Sequence, residues 1–326
     1  MNKKSCLIIG AGITGLMAAV RLKENGIDVT LLEKSSGVGG RMATRRIEGS
    51  VFDHGAQYFT MENKIFKDYA TKWLEKGILK QWPSQVNRSL PEPFNQPVFI
   101  GKNGMTALPK FLAQNLPIKL NRRITIINYR DNQWEIISDA DEFFKADAMI
   151  LTAPLPQSLD LIKSGNLHSA NGFYHKLDAI SYYSCLALMV LTKGKVDFPE
   201  PGAIKLSGEP LSWIADNSQK EISRGNSAIT IHAGNEFSRK YWEMENDALA
   251  KNILYIASDW IDAEYDTYQL KRWTYSQPRS LYPERHFFLT TPLPLALAGD
   301  AFAEGGVEGA ALSGLAAAEA ILNALF

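Results

Sequence analysis

Cysteine is scarce: the 326-residue chain has two, Cys6 and Cys185. Two thiols cannot form a disulfide framework. Each sits in an apolar run, where a small buried hydrophobe is expected. The composition suits a reducing compartment and predicts a cytoplasmic protein. An excess of charge is also missing, since 35 basic side chains balance 35 acidic ones. That excludes the basic stripe of a general nucleic-acid binder, so no nucleic-acid partner is expected. Nothing approaches the ~18 apolar residues of a membrane span. The run Cys6 to Ile9 is too short for the core of a secretory signal. The five histidines (His54, His168, His175, His232 and His286) show no metal-ligand spacing, and no metal site is expected. Internal repeats and low-complexity linkers are lacking too. At ~150 residues per domain, the length predicts about two domains.

What is present is glycine in particular places. Of 24 glycines, nine lie between Gly10 and Gly55 and five between Gly299 and Gly314. Ser5 to Ile9 reads as a buried strand that runs into Gly10-Ala-Gly12-Ile-Thr-Gly15. Leu16 to Glu24 then reads as a helix stopped at Gly26, and Asp28 to Leu32 as a second strand ending in Glu33. Each part has a task in dinucleotide binding. Gly10 permits the tight turn, Gly12 lets a pyrophosphate approach the backbone, and Gly15 lets the helix pack on the strand. The helix start offers free N–H groups to phosphates. Glu33 stands 18 residues after Gly15, near the spacing of a ribose-binding acid, and an acid there favours FAD or NAD over NADP.

A second glycine element follows, Gly37-Val-Gly39-Gly40-Arg41, and then Phe52-Asp-His54-Gly55-Ala56-Gln57-Tyr58. With Gly39-Gly-Arg-Met-Ala-Thr-Arg-Arg46, this wording resembles flavoproteins of the glutathione-reductase superfamily, second group. It falls in the branch that includes the amine oxidases and, within that, is similar to the renalase family. The fold this implies is α/β: a Rossmann-like FAD-binding domain (1–60, 98–160 and 283–326) interleaved with a smaller substrate domain of mixed β-sheet plus helices (61–97 and 161–282). The resemblance implies a FAD site of Gly10, Gly12, Ile13, Thr14, Gly15, Glu33, Lys34, Gly40, Arg41, Met42, Gly55, Ala56, Gln57 and Ile124. From the C-terminal stretch it adds Gly299, Asp300, Gly306, Val307, Glu308 and Ala310. Asp300 is expected on the ribityl chain, the helix start after Gly306 at the flavin N1 edge, and Arg41 on the pyrophosphate. With no cysteine between Gly299 and Gly314, the FAD is expected to be non-covalent.

The middle of the chain reads as short strands at Ile118 to Leu120, Ile124 to Tyr129, Gln133 to Ile137, Glu142 to Lys145 and Ala148 to Thr152. Further strands are expected within Ala179 to Leu191, at Ser227 to Ala233 and in Tyr268 to Tyr275. A helix is expected within Glu62 to Gly77. Arg239 to Asp262 holds one long helical pattern, with Trp242, Leu249, Ile253, Ile256 and Trp260 near helical spacing. Gln57, His54, Trp213, Trp273 and Tyr275 are the candidate catalytic residues. The aromatic ones suit the wall of a planar, nicotinamide-like ring.

The resemblance implies an oxidase of reduced nicotinamide dinucleotides, the 2- and 6-dihydro-NAD(P) isomers. Hydride would pass to flavin N5, and dioxygen would reoxidise the flavin to give hydrogen peroxide. The chain departs from the family wording at Ile124, Lys220-Glu221, Phe237 and Ser276, which leaves the exact substrate open. An amine oxidase and a non-catalytic flavin-binding sensor are the competing expectations. Oligomeric state is not legible.

Overall fold

The computed structural model describes residues 3–82, 96–165 and 174–326, so His168 lies outside the described residues. The apolar strand β1 (Ser5–Ile9) enters the turn at Gly10, whose φ of +109° suits glycine alone. From that turn rises α1 (Ile13–Glu24), and β2 (Asp28–Leu32) returns parallel to β1 in register, Ser5 with Asp28 through Ile9 with Leu32. A hairpin of β3 (Thr44–Ile47) and β4 (Ser50–Asp53) follows, then α2 (Lys64–Glu75). Next, β5 (Leu79–Gln81) pairs antiparallel with β6 (Phe99–Gly101), and α3 (Ala107–Ala113) leads to β7 (Ile118–Lys119) beside β2. An antiparallel meander comes next, of β8 (Ile124–Arg130), β9 (Gln133–Ser138) and β10 (Phe143–Ala146). Its first turn uses Asp131 and Asn132 at positive φ, a conformation these two residue types tolerate.

The wholly buried β11 (Ala148–Leu151) then slots beside β1, followed by α4 (Leu155–Ser164) and α5 (Tyr174–Asp178). The second sheet is built from β12 (Tyr182–Thr192), β13 (Ala203–Lys205), β14 (Leu211–Asp216) and β15 (Ala228–Ala233). It is completed, after α6 (Asn235–Lys240) and α7 (Asn246–Ala257), by β16 (Tyr265–Pro278). The chain returns to the first sheet through β17 (Phe287–Leu289) and β18 (Leu295–Leu297), and α8 (Gly306–Leu325) covers it.

Two sheets therefore organise the α/β molecule. The first has the order β17-β18-β11-β1-β2-β7, parallel except for β17. Its strands are apolar on both faces because both are covered, one by α1 and α8 and the other by the β8–β10 meander with α4. The crossing of α1 and α8 is close enough that a Cβ on Gly314 would stand 2.1 Å from the Thr14 carbonyl oxygen. The second sheet is antiparallel, in the order β13-β14-β15-β12-β16. Leu186, Leu188, Val190, Ile214, Ile229 and Ile231 on one of its faces share a core with Leu249 and Ile253 of α7. Its other face looks toward the first sheet. Another core joins α2, β6 and α8 to Trp213 and Ala215 of the second sheet.

The single helix expected over Arg239 to Asp262 is two, α6 and α7. Arg272 causes the break. Its guanidinium donates to the carbonyl oxygens of Trp242, at 2.8 Å, and Met244, at 2.6 Å, so those oxygens are drawn out of a helical ladder. The Glu245 carboxylate then caps the new helix on the Asp247 and Ala248 N–H groups.

Candidate functional site

A cavity of about 2090 Å³ opens between the two sheets. That is more than twice the upper end of a drug-sized pocket, room enough for a dinucleotide and a second ligand. It lies outside the carboxyl ends of β1 and β2, where open parallel sheets bind ligands.

At the dinucleotide end, Gly12 starts α1 with no side chain capping the helix N–H groups. A Cβ built on Gly12 meets nothing within 4 Å, so the backbone is bare toward the cavity. The Gly39 N–H donates to the Ala11 carbonyl at 2.9 Å, which ties the second glycine element to the first. Glu33 is buried, and its carboxylate is fixed by the N–H groups of Ala11 and Ser35, both at 2.8 Å. An uncapped helix start, a bare backbone and a fixed buried acid suit the pyrophosphate and ribose of FAD. Ile13, Thr14, Lys34, Gly40, Met42 and Ile124 line the same cavity. Lys34 donates to Gln157 at 3.1 Å.

Gly15 and Gly299 are set back from the cavity. A Cβ on Gly15 would lie 2.1 Å from the Gly10 carbonyl oxygen, so Gly15 serves the packing of α1 on β1. Gly299 gives its N–H to Ser313, at 2.9 Å.

At the other end, α8 begins at Gly306 after an N-cap without a side-chain bond. Gly306, Val307, Glu308 and Ala310 face the cavity with Gly55, Ala56 and Gln57. The free N–H groups of that helix start favour negative charge in front of them. The Glu308 carboxylate turns aside to the N–H groups of Glu62 and Asn63. Arg41 and Asp300, both expected on the cofactor, are paired with each other at 2.5 and 2.6 Å. Burial works against the Arg41 charge, and the Asp300 carboxylate outweighs it and holds the guanidinium above its ordinary pKa. Arg41 also donates to the Ser276 carbonyl, at 3.2 Å, which joins the glycine element, β16 and the strand end at Asp300.

The candidate catalytic residues do come together. His54 stacks on Trp273 at 5.3 Å and 17°, and the Trp273 Nε1–H donates to the His54 carbonyl at 2.8 Å. The Gln57 amide donates to the Asp53 carbonyl at 2.7 Å, while Gln57 Oε1 and His54 Nδ1 are buried with no partner. Trp213 and Tyr275 line the wall beside them. Burial, with smaller contributions from Arg45, Lys271 and His232, pushes the His54 pKa down to about 3.

The sequence reading missed His232, Cys185, Lys205, Lys271 and Arg45, which also line the cavity. Burial pushes His232 down to about 4 and the Cys185 thiol up to about 12, and His232 Nε2 is a further buried atom without a partner. A local signal existed for His232: Thr230 and His232 alternate with isoleucines in an otherwise apolar strand. Behind Gln57 lies a fully buried ion pair, Lys220 to Asp53 at 2.7 Å, with Lys220 also donating to the Gln57 carbonyl at 2.6 Å. Among the described residues, no group of His, Cys, Asp and Glu could hold a metal ion, and no helix is long and apolar enough to cross a membrane.

Two glycine turns, a buried acid and a helix start around one cavity suit the phosphates, ribose and ring of a flavin cofactor, the equipment of a flavin-dependent oxidoreductase. The comparisons agree. The family described as "Flavin containing amine oxidoreductase" matches residues 87–322, and the "NAD(P)-binding Rossmann-like domain" matches residues 8–73. The chain belongs to the flavin containing amine oxidoreductase family, and within it the chain is renalase-like. Renalase of Mus musculus is 25% identical over 331 residues, covering 95% of this chain and 96% of the mouse protein. A 4,4'-diapophytoene desaturase of Staphylococcus aureus (strain Newman) is 44% identical over only 64 residues, 20% of this chain and 12% of that one. Wild-type putrescine oxidase bound to putrescine superposes with a TM-score of 0.70 at 16% identity, covering 98% of this chain and 99% of that one. At that identity the likeness concerns the fold.

Proposed function

We propose that the protein oxidises reduced nicotinamide dinucleotides, the 2- and 6-dihydro-NAD(P) isomers, at a non-covalently held FAD. Its interleaved halves divide the work, one binding the cofactor and the other choosing the substrate. When bound, FAD supplies the hydride acceptor at N5 and passes the electron pair to dioxygen, giving hydrogen peroxide.

The observation that carries the reading is the base-poor aromatic wall. In a wall that also holds Cys185 and Lys271 beside Trp273, the imidazoles are His54, at about 3, and His232, at about 4. At neutral pH both are uncharged and neither takes up a proton readily. An amine must lose a proton before oxidation, whereas a dihydronicotinamide is already a hydride donor and needs no base. Trp273, Trp213 and Tyr275 exclude water and present flat surfaces to its ring. The start of α8 stabilises negative charge gained in front of it by about 0.3–1 kcal/mol.

The non-covalent link is supported by Cys185, the cysteine that lines the cavity. With its thiol held at about 12, it is a poor nucleophile at neutral pH. Acid precipitation should release all of the yellow colour into the supernatant. Anaerobic mixing tests the activity: 6-dihydro-NAD should bleach the flavin within one turnover and putrescine should not. Bleaching by amines alone would replace this reading with an amine oxidase. Bleaching by neither would leave a flavin-binding sensor.

A further inference from the structure

The register of the second sheet places side chains of five strands in one row. Lys205 on β13 pairs with Trp213, Trp213 with His232, His232 with Ala187, and Ala187 with Lys271 on β16. Directly opposed residues project to the same face. Two residues along, Cys185 pairs with Trp273 and extends that face. The other face is the apolar one packed on α7. Across the sheet the cavity wall therefore reads lysine, tryptophan, histidine, alanine, lysine. At about 4.8 Å per strand the two lysines stand about 19 Å apart at Cα, with His232 midway.

The Lys271 edge is cationic and reaches Lys34 on the dinucleotide side, which feels the Lys271 charge. Arg45, on β3, and Lys271 both act on His54, and the Lys271 ammonium lies 5.1 Å from the centre of the Trp273 ring. Among the described residues, no carboxylate pairs with Arg45 or Lys271. Two cations gathered at one edge of a cavity, beside the stacked His54 and Trp273, are complementary to an anion.

Resting on the dihydronicotinamide reading, we propose that Arg45 and Lys271 form a phosphate subsite for the tail of the substrate. The ring is seated between Trp273 and His232, and the phosphate leaves the wall over the Lys271 edge. The substrate class is thereby a dihydronicotinamide nucleotide, in preference to the riboside or the free ring. The same charges repel an ammonium substrate.

The test uses the holoprotein in aerated buffer, where dioxygen takes the electron pair at each turnover, and three reductants: dihydro-NAD, the dihydronicotinamide mononucleotide and the phosphate-free riboside. The wild type should show a KM for the riboside at least about tenfold above that for the mononucleotide, the weight of one charge-assisted contact. Lys271→Gln and Arg45→Gln should each narrow the gap between riboside and mononucleotide KM about tenfold. Added salt should raise the mononucleotide KM of the wild type more than that of either variant. Equilibrium binding of the oxidised mononucleotide should weaken by the same factor.

Equal wild-type KM values for riboside and mononucleotide would overturn the subsite. So would a larger effect of Lys205→Gln, which would put the tail at the opposite edge. Purification of Lys271→Gln or Arg45→Gln without FAD would overturn it as well, because the cations would then serve the cofactor's own phosphates. If no dihydropyridine bleaches the flavin, the activity reading fails on its own. Mononucleotide binding still decides the subsite in that case, and equal binding by the wild type and Lys271→Gln would overturn it.

Discussion

Gly12 shows how much one missing methyl group can carry. Its φ of −74° is one that any residue adopts, and a Cβ there meets no protein atom within 4 Å. Gly12→Ala should therefore fold with a denaturation midpoint like that of the wild type. Its Cβ enters the cofactor's space, where overpacking costs about 1–3 kcal/mol, roughly a five- to 150-fold rise in the FAD Kd. Titration of the apoprotein with FAD checks this. The buried pair behind Gln57 behaves in the opposite way. Lys220 and Asp53 are both 0% exposed, so Lys220→Met strands a carboxylate and should cost about 3–5 kcal/mol in urea unfolding, while adding Asp53→Asn should recover part of the loss.

The two cavity histidines give a pH dependence with a definite sign. Their folded pKa values, about 3 for His54 and about 4 for His232, lie below the ordinary value of 6.5. Between pH 6.5 and about 4 the unfolded chain takes up protons that the native chain refuses, so stability falls as the pH drops through that window. The urea midpoint of a His54→Gln, His232→Gln double variant should change less over the same range.

Among elements, the α1–α8 crossing is the tightest link between the site's two ends. Gly314→Ala would set a Cβ 2.1 Å from the Thr14 carbonyl oxygen and should cost at least about 1–3 kcal/mol. Because both helix starts face the cavity, flavin content should fall together with the thermal midpoint. Elements with their own punctuation were legible from the residues. β1 and β2 fall at Ser5–Ile9 and Asp28–Leu32, as expected, because a glycine turn and an acid bound them. α1 starts three residues earlier than expected, at Ile13, since an uncapped glycine start gives no polar signal. The break between α6 and α7 was illegible because Arg272, some thirty residues downstream, makes it. The row from Lys205 to Lys271 was illegible for the same reason. It exists only through the register of five strands drawn from residues 182–278, and nothing local sets that register.

On the scale of the whole molecule, the first sheet collects strands from residues 5–32, 118–151 and 287–297, and the second from 182–278. The glycine map led to the expectation that the two glycine-rich segments meet, since glycine spacing is local and each cluster could be read alone, and residues of both line one cavity. The map could not show that Arg41 and Asp300 meet, a contact 259 residues apart in sequence. That ion pair gives the assembled molecule a further test. Arg41→Gln should loosen the junction of the glycine element, β16 and Asp300. The expected result is faster proteolysis near Ser276 in the apoprotein, read by limited digestion.

The position of α8 has a consequence for how the protein is made. Gly306 leaves the ribosome about 300 residues after the turn at Gly10. At the usual pace of synthesis that is a wait of about 15 to 60 s. During that time the nascent chain has a half-built cradle whose second wall does not yet exist. FAD capture is thus a late event, and nascent chains stopped short of Gly306 should stay colourless.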